Sequence, residues 1–201
     1  MADTGAPWNL PYPLPTDLVR DGADAIKDLA EATADGLSAA GGLVAVKSAI
    51  FTGTQTDSVT AGDNLAVTDL ELTHEVADAA NKLIISAFFG AVANSEGRGN
   101  VGIAIHDGTG LIGIGAADGS RTRVAAGGKT IGNIGTDAQV VAMPSITFVH
   151  LPGTGSKTYT VRAINVAGST NTVFINRTET DTNSSVFPRA VSSLVIQEVK
   201  V

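Results

Sequence analysis

The chain has 201 residues, 43% hydrophobic but only 4% aromatic, with 23 glycines, no cysteine and a net charge of −7. That length suits one good-sized core with an appendage, the lack of thiols excludes disulfides and thiolate metal sites, and no apolar run is long enough for membrane insertion. The charge is uneven: residues 1–40 carry seven acids and two bases (net −5), and the remainder thirteen acids and eleven bases (net −2). Without a basic stripe the chain lacks the footprint that phosphate-backbone binding requires, so nucleic acid is not expected as a partner.

The N-terminus has no basic region followed by an apolar stretch, so no secretory signal is expected. Residues 7–15, PWNLPYPLP, hold four prolines. Proline fixes φ, lacks an N–H and pushes the preceding residue towards extended conformations, so an extended arm over 1–15 is predicted. Trp8, Leu10, Tyr12 and Leu14 on such an arm have no partners within it and must be covered by another surface.

Residues 16–37 carry a helical signal, with Thr16 as N-cap, Asp17 in the first turn and Gly36 as the terminator. Val19, Ile26, Leu29 and Ala30 fall on one face, and a seven-residue register places Val19, Ile26 and Thr33 at a, with Gly22, Leu29 and Gly36 at d. So narrow a stripe, flanked by Ala23, makes a helix that is marginal alone. It either associates with copies of itself, as in a short trimeric coiled coil, or docks on its own domain.

Residues 38–42, SAAGG, read as a linker, and from residue 43 the period changes to two. Strands are predicted over 44–53, 64–76, 81–92, 100–107, 144–151, 157–167, 171–178 and 192–201. Val101, Ile103 and Ile105 share one face, while Gly102, Ala104 and His106 share the other, the pattern of a sheet with one buried face. Apolar parity changes between Val67 and Leu70, so a bulge or bend near Asp69 is expected. Strands separated by Gly, Asn, Asp and Ser turns predict a mainly β head over 43–201, a two-sheet antiparallel sandwich of jelly-roll type.

Residues 108–135 contain nine glycines and the pair Arg121 and Arg123. This stretch reads as a functional or mobile loop with room for a short strand near 111–114. Its Asp-Gly pairs, DGTG at 107–110 and ADGSR at 117–121, are explained by type I′ turns. GIGAADG (113–119) lacks the third glycine and the βαβ surroundings of a dinucleotide fingerprint, so no cofactor site is read there. His74, His106 and His150 each lie in strand patterns without metal-ligand spacing and read as structural or surface residues. The sequons at Asn176 and Asn183 are read as chance. No catalytic signature, cofactor site or metal site is expected, and the chain is not read as an enzyme.

PWNLPYPLPTDLVRDGADAIKDLAEA resembles the N-terminal segment of many bacteriophage tail-fibre and minor tail proteins, in which a W-x-(L/I)-P-Y-P-x-P arm precedes a short helix rich in Ala and Asp. The stretches VTDLELT (67–73), AANKLIISA (79–87), FVHLPGTGSKTYTV (148–161), FINR (174–177) and SSLVIQEVKV (192–201) resemble, in order, the β-rich heads of phage fibres. The resemblance implies a virion structural protein made in the host cytoplasm, commonly a homotrimer. Trp8, Leu10, Pro11, Tyr12, Pro13 and Pro15 would form the anchoring arm, and residues 1–37 would meet other virion proteins. Val19, Ala23, Ile26, Leu29, Ala30 and Thr33 would form the oligomerisation helix. Residues 43–201 would be the displayed head, with Arg121 and Arg123 in a receptor-facing loop for a host glycan or protein. The same plan serves a capsid-mounted head fibre or decoration protein. A carbohydrate-binding module is a further alternative, as is a depolymerase, which would need paired carboxylates in a groove.

Overall fold

The structure is a computed structural model and describes residues 2–3, 11–12, 22–39, 42–96, 100–128, 141–183, 185, 187 and 189–201. It divides into a small unit, Met1–Leu43 with Lys200–Val201, and a large one, Val44–Val199.

In the small unit, β1 (Ala2–Asp3) pairs antiparallel with β2 (Pro11–Tyr12), and α1 (Gly22–Ala39) lies beside β2. Pro11 and Tyr12 are thus extended, while Trp8, Leu10, Pro13, Pro15 and Val19 lie outside the described residues. The expected helix end differs. Gly36 is helical and α1 runs on to Ala39, taking Ser38 and Ala39 from the expected linker. One glycine inside a helix costs about 1 kcal/mol relative to alanine, too little to stop a helix whose next residues, Leu37 to Ala39, can continue it.

The large unit is built from antiparallel strands around one core. One sheet has the order β10-β8-β12-β5, with the two-residue β9 (Leu111–Ile112) also paired to β8. Its strands are β5 (Asn64–Val76), β8 (Val101–His106), β10 (Ala126–Gly128) and β12 (Gly155–Asn165). The second sheet has the order β11-β6-β14-β3, from β3 (Leu43–Phe51), β6 (Lys82–Phe88), β11 (Ser145–His150) and β14 (Ser192–Val199). A third sheet, absent from the two-sheet expectation, joins β4 (Gln55–Val59), β13 (Asn171–Ile175) and β7 (Val92–Asn94) in the order β4-β13-β7.

The alternation read from the sequence becomes packing. Leu83, Ile85 and Ala87 of β6 and Leu194 and Ile196 of β14 share a buried core with Ile103, Ile105, Tyr159 and Val161 from the first sheet, and Val59, Val173 and Ile175 from the third. Burying each such aliphatic side chain stabilises the fold by about 1.5–3 kcal/mol against exposure, before the entropy of ordering is subtracted. The second face of β8 is also covered, contrary to the one-face expectation: Gly102 and Ala104 are buried, and a β-carbon on Gly102 would collide with Val124.

Two irregularities shape the head. The expected strand over 81–92 breaks at Gly90, where a β-carbon would collide with the Val191 carbonyl, and the chain passes from β6 in the second sheet to β7 in the third. Of the bulge or bend expected near Asp69, the structure has a bulge: Glu71 pairs with Thr160 and Ala66 with Arg162, so Val67 to Leu70 face the single residue Val161. Asp69 there has a φ of 60°, a left-handed conformation that Asp tolerates better than most residues. Gln55 pins the bulge by donating its amide to the Ala66 carbonyl (3.0 Å) and accepting from Thr68 N–H (2.8 Å).

Candidate functional site

Helix α1 holds the described part of the predicted oligomerisation stripe. Ile26 is 68% exposed. Ala30 and Thr33 are exposed as well, and Leu29 is half-buried. Thr33 returns its hydroxyl to the Leu29 carbonyl at 2.7 Å, a bond internal to the helix. Lys27 and Glu31 form an exposed i,i+4 pair at 3.6 Å, worth a few tenths of a kcal/mol. Asp24 in the first turn favours the helix dipole, but the last turn has no basic residue. An 18-residue helix supported by these terms alone is marginal in water.

On the head, β3 is an edge strand of the second sheet, and Val44, Val46 and Ile50 stand exposed along it. A long apolar edge presents unpaired backbone groups, a template that natural folds usually blunt with charge or proline. Lys47 is the only charged residue in β3, and its ammonium donates to the Thr73 carbonyl at 2.7 Å. Sequence reasoning read β3 only as a sandwich strand, and the signal for more was the apolar alternation continuing onto its second face.

Arg121 and Arg123 lie on the head surface, and both brace their own loop. Arg121 pairs with Asp118, and Arg123 donates Nε–H to the Gly115 carbonyl at 2.7 Å. The neighbouring Asp-Gly turn is tightly capped. The Asp107 carboxylate accepts from the Thr109 hydroxyl and from the N–H groups of Thr109 and Gly110. Burial alone would raise the Asp107 pKa, but these bonds outweigh it and, with nearby His150, hold it at about 2.

The three histidines separate into distinct settings. His74 is buried in β5, with Nε2 2.8 Å from the Glu198 carboxylate of β14, which also accepts from the Asn81 amide at 2.6 Å. Burial works against the charged Glu198, yet the bonds from Asn81 and His74 bring its pKa below the ordinary value. His106 accepts from Gly108 N–H at 3.0 Å and helps close its turn. His150 packs edge-on to Tyr159, with ring centroids 5.9 Å apart, and burial lowers its pKa. The His74–Glu198 pair spans 124 residues, so local spacing carried no sign of it.

The bulge at Asp69 opens a concavity of about 490 Å³ lined by Ala66 to Asp69, Glu71 and Thr160. Asp69 and Glu71 thus share one wall, both exposed, and Thr160 donates its hydroxyl to Glu71 at 3.0 Å. Asp69 and Glu71 are the two carboxylates of this concavity that bear on the depolymerase alternative. Of the two sequon asparagines, Asn176 is fully buried with its amide engaged, a setting that cannot carry a glycan. Among the described residues, no group of three or more His, Cys, Asp and Glu is arranged to hold a metal, and no helix is long and apolar enough to cross a membrane. Comparison of the chain with protein-family models and with curated proteins returns no match.

Proposed function

We propose that the chain is a bacteriophage virion structural protein, a short trimeric tail fibre. Its N-terminal segment attaches to the particle and its β head is displayed for contact with the host surface. The observation that carries this reading is the contrast between the two units. The head has a complete core of its own, whereas α1 leaves Ile26, Ala30 and Thr33 open to solvent. A marginal helix with an exposed apolar stripe gains its stability from partners, and the simplest partners are copies of the same helix. The apolar edge of β3, which follows the helix in the chain, adds a second surface suited to contact between copies. The tail-fibre likeness of residues 7–32 supplies the virion setting, and the acidic N-terminal segment gives the anchoring region its charge.

Light scattering of the purified full-length chain tests the reading. A mass of about three chains is expected for a closed trimer. A monomer at micromolar concentration removes the fibre and favours a decoration protein whose N-terminal segment orders on the capsid.

A further inference from the structure

The segment after β13 is fastened to the core by a relay of charged groups. Phe174, at the buried end of β13, lies under the Arg177 guanidinium, 5.1 Å from its ring centre. Arg177 donates Nε–H to the Thr178 carbonyl and an Nη2 hydrogen to the Glu179 carbonyl, while its Nη1 stands 3.3 Å from the Asp181 carboxylate. Asp181 in turn receives Arg189 at 2.7 Å, on the same Oδ2 atom. A carboxylate held between two guanidinia has a fixed direction, and fixed polar groups are what a binding site requires.

Beside this relay is a concavity of about 270 Å³ lined by Asp181, Thr182, Asn183, Phe187 and Arg189. We infer that this concavity binds a single pyranose, such as the terminal sugar of a surface glycan. The argument is chemical. A pyranose combines one face of C–H bonds, weakly positive, with a rim of hydroxyls that both donate and accept. Phe187 lines the concavity, and an aromatic ring is the side chain suited to the first, because its π-face is negative. Around it stand a carboxylate with Oδ1 not used by either guanidinium, an amide, a hydroxyl and an arginine with further N–H donors, matching the second. The volume lies just under the ~300 Å³ at which sites for larger ligands begin, which suits one ring. Asp181 also repels a free phosphate or sulfate, disfavouring simple anions despite the two arginines.

Aromatic residues, the usual platforms for sugars, are scarce after residue 43. The structure places one of those few, Phe187, in a polar concavity. The inference deepens the attachment reading and rests on it only for the source of the sugar.

Saturation-transfer NMR on the full-length chain tests it, with the methyl glycosides of glucose, galactose, mannose and N-acetylglucosamine as probes and glycerol as the ring-free control. Transfer to the ring protons of at least one glycoside is expected, with a dissociation constant on the order of millimolar, as ligand efficiency predicts for so small a ligand. Phe187→Ala should weaken the signal about tenfold, Phe187→Tyr should retain it, and Asn183→Ala, at an exposed position, should weaken it about threefold. Transfer no greater than to glycerol for every glycoside overturns the proposal, as does undiminished transfer to both Phe187→Ala and Asn183→Ala. Sugar binding by a chain that is monomeric in solution would keep the site and remove the fibre, whereas a trimer without sugar binding would do the reverse.

Discussion

Ser192 donates its hydroxyl hydrogen to Oδ1 of Asn176 across 2.6 Å, and this one contact joins the start of β14 to the end of β13. The Asn176 amide also donates to the carbonyls of Phe51 and Gly53 at 2.8 and 2.9 Å, and its own N–H donates to the Ala91 carbonyl at 2.7 Å. Asn176 has a φ of 59° and is fully buried. Asparagine is the rare residue that accepts a left-handed backbone and still supplies both a donor and an acceptor.

Asn176→Ala should therefore destabilise the head by about 3 kcal/mol, since it strands the buried Phe51 carbonyl, the part-buried Gly53 carbonyl and the Ser192 hydroxyl, and strains the backbone. Asn176→Gly keeps the backbone relaxed and should cost about 1 kcal/mol less. Urea unfolding checks this through a shifted midpoint at constant slope. Equal losses for the two variants would mean that φ carries no cost here.

At the bulge the order of substitutions reverses. Asp69→Gly should be neutral or raise stability by up to about 1 kcal/mol, because it removes left-handed strain at an exposed position. Asp69→Val, β-branched at the same φ, should lower stability by more than 1 kcal/mol. A loss in Asp69→Gly comparable to that in Asp69→Val would assign the Asp69 side chain a contact of its own.

Removing the buried acceptor between β5 and β14 should be severe. Glu198→Ala leaves His74 and Asn81 without their shared partner and should cost about 3 kcal/mol, read from thermal or denaturant melts. The companion variant Asn81→Ala should cost less, because Glu198 keeps His74. A loss below 1 kcal/mol in Glu198→Ala would show that water replaces the carboxylate.

Acid should weaken the head in a defined window. Asp107 titrates at about 2 in the fold against 3.8 for the free group. A depressed carboxylate contributes stability that is complete above the unfolded value and is lost as pH falls from 3.8 towards 2. Allowing for solvent screening at this turn, the contribution is about 1 kcal/mol. Glu198 and His150 are also depressed and act in the same direction, His150 as pH falls below 6.5. Melts of Asp107→Asn should be less stable than wild type at neutral pH and converge with it near pH 2. A constant gap across the range would assign the effect to packing.

The N-terminal helix has its own variant. Ile26→Asp places a charge in the exposed stripe, disfavouring helix association while leaving the head untouched. The expected result is a fall in mass from about three chains to one, with an unchanged head melting transition. Removal of residues 1–37 should likewise leave a folded β domain. An intact trimer for Ile26→Asp would move the seam to β3 or elsewhere.

Much of the head was legible because strands with one buried face write a period of two into the sequence. Leu83, Ile85 and Ala87 alternate visibly, and so do Leu194 and Ile196. The bulge was legible for the same reason, as a break in that alternation between Val67 and Leu70. β4 was not: QTDSV carries a single aliphatic residue, and only its pairing to β13 makes it a strand. The handover at Gly90 was not legible because FFGAV stays apolar across it, while the steric demand comes from Val191, about a hundred residues away in the chain. The polar pairs were invisible on the same ground. His74 and Glu198, like Asn176 and Phe51, meet only after the sheets have assembled.

The handover at Gly90 also bears on how faithfully the head assembles. One run of chain serves two sheets, so β6 cannot slip by one residue against β14 unless β7 slips against β13 and the chain lifts away from Val191. A single-residue slip would turn Leu83 and Ile85 to solvent in one sheet and misplace Val92 in the other. Misaligned forms are thus penalised twice for one mistake, and the glycine acts as a proofreading point for the order in which three sheets find their partners.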